Sequence, residues 1–452
     1  MLPRLNGKDL EGNISPYIKL VKKGVAGFIL FGGRLDAVRD GLSELQKRAS
    51  IPLIIASDLE RGLGQQVEGG TVFPWAMAFG SALKKGIDPK ILKNAFRAIT
   101  LEAKWAGINL IFAPVLDINS NPANPIIATR AFGEGPEIVS RLGAMMIKEI
   151  QKEGLMACGK HFPGHGDTSM DSHLALPLIE KDLKGLERFE LKPFKAAIKM
   201  KVKTIMTGHL KVPALDPSGL PVTLSKKTIC YLRRRMSFKG LIITDALNMA
   251  GLSMPEEKAA VLALKAGANI LLHPSEPDKL AAYLKRQKIH VGESLLKKTR
   301  EGLLKVKAPL RPPSYKEHAV LAHEIALKAI RTEGEIGRLK GRTVIILADE
   351  PERLGTFISL IRKKVKRKPL INPSGKLPSG DILAVVFSAP RAWHPPSEGL
   401  KENIKRLSAL NPLWLSFGNP YLIYEERNKI LTYSDSEEMQ REMINLIGKK
   451  YV

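Results

Sequence analysis

One segment of the chain concentrates side chains that can exchange protons. Residues 156–173 read MACGKHFPGHGDTSMDSH and contain three of the nine histidines, two aspartates and a lysine. Asp171 and His173 are two positions apart, so the carboxylate can hydrogen-bond one imidazole nitrogen and leave the other free to exchange a proton. This spacing predicts a general acid/base pair in a loop that Gly and Pro residues keep from being helical.

The same segment allows two other interpretations. It could be a structural loop whose histidines bond backbone groups, or a metal site, since imidazole and carboxylate groups are both metal ligands. The possible ligands are His161, His165, Asp171 and His173. However, His161 and His165 enclose Phe-Pro-Gly and cannot share a helix face as metalloprotease histidines do. We therefore predict acid/base catalysis, with no metal and no other cofactor.

An acid/base pair needs a partner that attacks carbon. Asp245, at the end of GLIITD (240–245), is the best carboxylate available for this role. An aspartate nucleophile opposite a proton donor is the arrangement of a retaining glycosidase, with a histidine here in place of one of the usual two carboxylates. A helix-capping role for Asp245 is the alternative.

Short apolar runs alternate with amphipathic segments along the first 300 residues or so. Seven of the runs are apolar on both faces, as parallel strands buried on both sides are: 25–31, 52–58, 109–117, 156–162, 203–210, 240–247 and 269–274. With a first strand near LPRL (2–5), the rhythm predicts a (β/α)8 barrel of the TIM type over residues 1–305. A doubly wound sheet is the alternative.

Polar residues end most of these runs. In a barrel, such positions point into the ring of βα loops, where active sites of this fold lie. The residues concerned are Asp58, Asp117, Lys160, His161, His209, Asp245 and His273.

The pattern changes after residue 305. A Pro-rich break at 308–316 and a helical segment at 318–331 predict a linker over residues 306–340. Three further strand-like runs predict a second, smaller α/β domain over residues 341–452.

Composition narrows the classes of function. No apolar run approaches the length of a membrane span, and the N-terminus has no apolar signal core, which predicts a cytoplasmic protein without a membrane partner. Two cysteines provide no disulfide framework. The net charge of +26 could indicate nucleic-acid binding, but the basic residues are spread along the chain and no nucleic-acid-binding motif appears. We predict no nucleic-acid partner and keep that role as an alternative.

The histidine segment, KHFPGHGDTSMDSH followed by LALP, resembles the defining segment of the β-N-acetylglucosaminidases of glycoside hydrolase family 3 (NagZ type). The resemblance covers roughly residues 20–275. Four further segments are similar and occur in the order of that family: IIASDLE (54–60), NLIFAPVLDINSNPANPIIATRAFG (109–133), IMTGHL (205–210) and LIITDALNM (241–249).

The resemblance implies a role for each matching residue. Asp245 would be the nucleophile, and His173, oriented by Asp171, would be the general acid/base. The covalent intermediate would form on the enzyme and not on the acetamido group of the substrate. Asp117 would support the site. The implied substrate-binding residues are Asp58, Arg130, Lys160, His161 and His209.

The implied substrate is a small carbohydrate that contains GlcNAc, either a chitooligosaccharide or a muropeptide, and the protein would be a monomer or dimer. Because a histidine acid/base does not repel phosphate, a phosphorylase with the same site is an alternative; another sugar, or a barrel that only binds sugar, ranks lower. The family usually has Gln-Glu-Gly-Gly after the sugar-binding aspartate, whereas this chain has Leu59-Glu60-Arg61-Gly62. Arg61 could shape the sugar pocket or face solvent.

Overall fold

The computed structural model describes residues 1–168, 176–249, 252, 254–287, 289, 293–306, 309–336, 342–365, 368–389 and 396–450. Within these residues, eight parallel strands form one sheet in sequence order. They are β1 (Arg4–Asn6), β2 (Gly27–Phe31), β3 (Ile54–Ser57), β4 (Leu110–Ile111), β5 (Met156–Phe162), β6 (Thr204–Thr207), β7 (Leu241–Ala246) and β8 (Ile270–Leu272).

Leu2 closes this sheet into a barrel. Its backbone N–H donates to the Leu271 carbonyl at 2.8 Å, and the His273 N–H donates to the Leu2 carbonyl at 2.9 Å. The predicted barrel is therefore confirmed, and its first strand begins where the LPRL segment indicated.

Helices surround the barrel, and most of them bury apolar residues. In the helix Pro89–Trp105, the Asp88 side chain accepts from the Lys90 N–H at 2.8 Å, and Phe96 stacks on Phe79 with centroids 5.1 Å apart. The helices of this part are α1 (Ser15–Lys22), α2 (Leu35–Arg48), α3 (Ala76–Lys84), α4 (Pro89–Trp105), α5 (Pro136–Lys152), α6 (Leu183–Arg188), α7 (Leu191–Lys199), α8 (Lys226–Cys230), α9 (Glu256–Ala266), α10 (Pro277–Arg286) and α11 (Glu293–Gly302).

A second sheet follows the barrel, and its strand order is β11-β10-β12-β13-β14-β9, with β9 antiparallel to β14. Its strands are β9 (Arg331–Glu333), β10 (Thr343–Ala348), β11 (Leu370–Ile371), β12 (Ile382–Ser388), β13 (Leu413–Gly418) and β14 (Lys429–Leu431). The accompanying helices are α12 (Tyr315–Ala329), α13 (Gly355–Ile361), α14 (Glu398–Ser408) and α15 (Glu437–Lys450). This is the smaller α/β unit that the sequence predicts; its limits at 305 and 341 stay a prediction, and β9 lies inside the predicted linker.

The helix α12 joins the two parts. Glu102 of α4 is fully buried, and its Oε1 is 2.6 Å from Nδ1 of His318 on α12 and from the Thr71 hydroxyl. These contacts complete the hydrogen bonding of a carboxylate that water does not reach, and they dock α12 on the barrel. None of the helices in the described ranges combines the length and apolar character that crossing a bilayer requires.

Candidate active site

Polar side chains lie at the C-terminal end of the barrel, on the side of each strand that faces the interior. Ala56, Cys158 and Ile243 belong to the apolar cluster inside it. Because side chains alternate with a period of two, the residues two positions further along these strands point to the same side. Those residues are Asp58, Lys160 and Asp245, and all three line one cavity of about 550 Å³.

Two carboxylates and two cations form a charge-balanced cluster at this cavity. The Lys160 ammonium lies 2.6 Å from Asp58 Oδ1 and 2.6 Å from Glu60 Oε1. Arg130 donates from Nε and Nη2 to the two oxygens of Glu60, at 2.9 and 2.8 Å. The side chains of Lys160 and Glu60 are only 2% and 6% exposed, so each charge depends on its partners.

These contacts keep the buried groups ionised. Burial by itself would raise the pKa of Glu60, but the charges of Arg130 and Lys160 outweigh it and hold that pKa well below its usual range. Burial likewise opposes the charge on Lys160, yet Asp58 and Glu60 raise its pKa above the ordinary value, and Glu60 does the same for Arg130. The cavity therefore presents fixed hydrogen-bond donors and acceptors suited to sugar hydroxyls.

Asp117 fixes the position of His161 by hydrogen bonds to its ring and its backbone. Its Oδ2 lies 2.7 Å from His161 Nδ1, and its Oδ1 accepts the backbone N–H groups of His161 and His165 at 3.1 and 2.7 Å. Because an ionised carboxylate only accepts, Nδ1 of His161 carries a proton, which sets the tautomer and orientation of a ring that lines the cavity. Asp117 itself is fully buried and supports the site.

Asp245 lies at the end of β7, where its Oδ1 accepts the N–H of Ala246 at 2.8 Å. His209 is fully buried beside it. Nε2 of His209 donates to the Ala246 carbonyl at 3.0 Å, and its Nδ1 is 2.9 Å from the Thr223 hydroxyl. His209 thus supports the backbone next to Asp245. It is not among the described residues that line the cavity, and its implied sugar contact stays a prediction.

The predicted acid/base pair, Asp171 and His173, lies outside the described residues, between Thr168 and Leu176. Its role stays a prediction. In the part of the chain that is described, no group of three or more His, Cys, Asp or Glu side chains is arranged to hold a metal ion.

Comparison with known proteins identifies the family. Residues 18–303, more than half of the chain, match the glycosyl hydrolase family 3 N-terminal domain. The chain belongs to glycosyl hydrolase family 3. A β-hexosaminidase A from Pseudoalteromonas piscicida is 38% identical over 245 residues, which are 51% of this chain and 41% of that protein. A β-hexosaminidase from Neisseria meningitidis is 33% identical over 271 residues, 58% of this chain and 74% of that protein.

Solved structures show the same relationship. A family 3 β-N-acetylglucosaminidase from a Paenibacillus species superimposes with a TM-score of 0.82 at 29% identity, over 100% of this chain and 95% of that one. The family predicted from the histidine segment is therefore confirmed. The chain spans less than half the length of the Pseudoalteromonas relative.

The sequence does not predict the role of Glu60 or the partner of Arg61. Glu60 receives no predicted role, although it is the residue that joins Lys160 to Arg130; its position two residues after Asp58 was the available signal. The sequence allows Arg61 to shape the sugar pocket or to face solvent. It is buried and pairs with Asp435 of the second domain, so it does not face solvent, and an influence on the pocket stays a prediction.

His165 lines the same cavity and is held as a neutral imidazole. Burial lowers its pKa from 6.5 to about 4, because the cost of a buried positive charge outweighs the attraction of the nearby Asp117 carboxylate. A neutral ring at this position adds no charge to the cation pair of Lys160 and Arg130.

We expect the family 3 chain to lose stability as pH falls from about 6.5 to about 4, since the unfolded chain binds the His165 proton first. The loss attributable to His165 is roughly 3 kcal/mol. Urea unfolding at the two pH values measures it. His165→Asn, which keeps a polar atom near the Nδ1 position, should remove this part of the pH dependence. Burial also lowers the pKa of His273, so the difference between wild type and His165→Asn is the quantity to compare. Equal pH dependence in the two proteins would contradict the assignment.

Proposed function

We propose that this chain is a retaining exo-β-N-acetylglucosaminidase that hydrolyses terminal GlcNAc from peptidoglycan fragments or chitooligosaccharides. The observation that carries the proposal is one cavity lined by Asp245 and by the balanced cluster of Asp58, Glu60, Arg130 and Lys160. The names of the related β-hexosaminidases and of the Paenibacillus enzyme support the same activity.

In the proposed first step, the Asp245 carboxylate attacks the anomeric carbon while His173, oriented by Asp171, donates a proton to the leaving oxygen. The glycosidic bond breaks and a covalent glycosyl–enzyme ester forms. In the second step His173 takes a proton from water, the water oxygen attacks the anomeric carbon, and Asp245 is released as a carboxylate. His173 thus gives and regains one proton and Asp245 forms and releases one ester bond, so the two steps need no cofactor.

The balanced cluster would position the terminal sugar. Lys160 and Arg130 are held by carboxylates before substrate arrives, so little reorganisation is needed when they bond the sugar hydroxyls. His161, oriented by Asp117, would supply a further contact. The cavity volume of about 550 Å³ lies within the usual range for small-ligand sites.

The proposal extends to the substrate, the acceptor, the cellular location and the oligomeric state. A muropeptide is anionic, so the net charge of +26 would favour its approach at low salt. Water is the proposed acceptor, and phosphate would make the enzyme a phosphorylase. A cytoplasmic location and a monomeric or dimeric state stay predictions.

The test is release of 4-nitrophenol from its β-GlcNAc and β-glucoside derivatives, with and without phosphate, by the wild type and His173→Ala. We expect selective cleavage of the β-GlcNAc substrate that the variant loses. Formation of GlcNAc-1-phosphate, at a rate that rises with phosphate, would support the phosphorylase. Absence of turnover, combined with salt-dependent retention on DNA near physiological ionic strength, would support nucleic-acid binding instead.

A further inference from the structure

The second domain contacts the barrel at Arg61 and at Trp75, a residue that lines the candidate active site. The described residues that line the cavity all come from the barrel. Within the described residues, the second domain therefore reaches the site through barrel residues that it contacts. Two such contacts converge on Trp75, which lines the cavity and is only 7% exposed.

The first contact runs through Arg61. This side chain is 7% exposed, and its Nη2 donates to Asp435 Oδ1 of the second domain at 3.2 Å. Its Nε donates to the Phe73 carbonyl at 3.0 Å, so two bonds hold the guanidinium in one plane. That plane lies over the Trp75 indole, with the guanidinium carbon 4.2 Å from the ring centroid. A guanidinium stacked on an aromatic face attracts the ring and restricts its tilt.

The second contact is direct. The backbone N–H of Trp75 donates to the Tyr433 carbonyl of the second domain at 3.3 Å. Tyr433 lies two residues before Asp435 in the chain, so one short segment of the second domain contacts both the backbone and, through Arg61, the ring of Trp75. The segment thus fixes Trp75 at two points.

The ion pair between Arg61 and Asp435 does not by itself explain why Arg61 lies over Trp75. Asp435 also pairs with Arg353 of its own domain, and therefore has a cation without Arg61. A buried ion pair contributes little net stability compared with apolar residues of the same size, because both charges lose their hydration. Besides this pair, Arg61 makes the hydrogen bond to the Phe73 carbonyl and the contact with the indole of Trp75.

We propose that Trp75 is a sugar-contacting residue and that the second domain sets its position through Arg61 and Asp435. The indole packs against the apolar C–H face of a pyranose ring in the cavity, a contact that excludes water from both surfaces. The second domain thereby influences the affinity for substrate through a barrel residue that lines the cavity. The inference rests on the proposed glycosidase function.

The structure offers a matched pair of variants to test this. Arg61→Met and Arg353→Met each remove one of the two guanidiniums that pair with Asp435, and each leaves the other in place. Only Arg61 lies over Trp75; Arg353 lies over Phe387 within the second domain. Steady-state kinetics on 4-nitrophenyl β-GlcNAc and on a GlcNAc disaccharide would compare the two with wild type.

We expect Arg61→Met to raise KM by about tenfold and to change kcat by no more than about twofold, because a binding surface is loosened and the reacting groups are untouched. Arg353→Met should leave KM at the wild-type value. Trp75→Leu keeps the Arg61–Asp435 pair and should raise KM at least as much as Arg61→Met, which provides a second measurement if Arg61→Met folds poorly.

Equal KM values for Arg61→Met and Arg353→Met, or a wild-type KM in Trp75→Leu, would overturn the inference while the glycosidase function stands. Binding of free GlcNAc, followed by tryptophan fluorescence, separates the two claims further. A wild type that neither cleaves the substrates nor binds GlcNAc would remove the proposed function and this inference together.

Discussion

Asp245→Asn is expected to lower kcat on 4-nitrophenyl β-GlcNAc by about 10⁴-fold or more, since a neutral amide cannot form the glycosyl ester. The variant should fold normally. Its side-chain oxygen can still accept the Ala246 N–H that Asp245 Oδ1 accepts at 2.8 Å, and the change conserves shape. Steady-state kinetics and a thermal melt of the same preparation measure both expectations.

Two additional measurements separate a nucleophile from a residue that only supports the site. Asp245→Ala leaves space beside the anomeric carbon, and added azide should restore bond cleavage and yield a glycosyl azide. Asp40→Asn is the control, because Asp40 is exposed on α2 and 3.6 Å from Arg39. Activity of Asp245→Asn close to that of Asp40→Asn would show that another group attacks the sugar.

Lys160→Met is expected to be destabilised by roughly 3–5 kcal/mol, because it leaves Asp58 and Glu60 with only the Arg130 cation. It should also lower kcat/KM by about 10²-fold or more, as loss of a positioned donor does. The surface variant Lys23→Met is the matched control. Lys23 pairs with Asp278 at 2.8 Å, but both side chains are at least half exposed, so its removal should cost under about 1 kcal/mol.

A double variant distinguishes charge balance from substrate contact. Glu60→Gln alone leaves Asp58 as the one carboxylate of the cluster beside Lys160 and Arg130, and should destabilise the protein as Lys160→Met does. Combining Glu60→Gln with Lys160→Met restores equal numbers of positive and negative charges. We expect the pair to recover much of the stability, as followed by urea unfolding, and none of the activity. Additive losses of stability in the double variant would contradict the charge-balanced cluster.

The sequence by itself determined that the first 300 residues or so form parallel strands buried on both sides, because each strand run is apolar on both faces. A barrel and a doubly wound sheet share this pattern, and the backbone hydrogen bonds between Leu2 and the end of β8 decided for the barrel. The polar residues at or near the C-terminal ends of β3, β5 and β7 could also be placed from the sequence. Asp58, Lys160 and Asp245 follow interior residues by two positions, so the period of the strand directs them into one cavity.

Only the tertiary structure decided which charges pair. Glu60 meets Arg130, 70 positions away, and Arg61 meets Asp435, 374 positions away. Glu60 and Arg61 are neighbours in sequence, yet Glu60 pairs within the charge-balanced cluster and Arg61 pairs with the second domain. The partners are set by how the loop after β3 packs between barrel and second domain, and a local pattern of residue types does not contain that information. Burial makes both pairings necessary, because a charged side chain that water does not reach must have a partner within hydrogen-bonding distance.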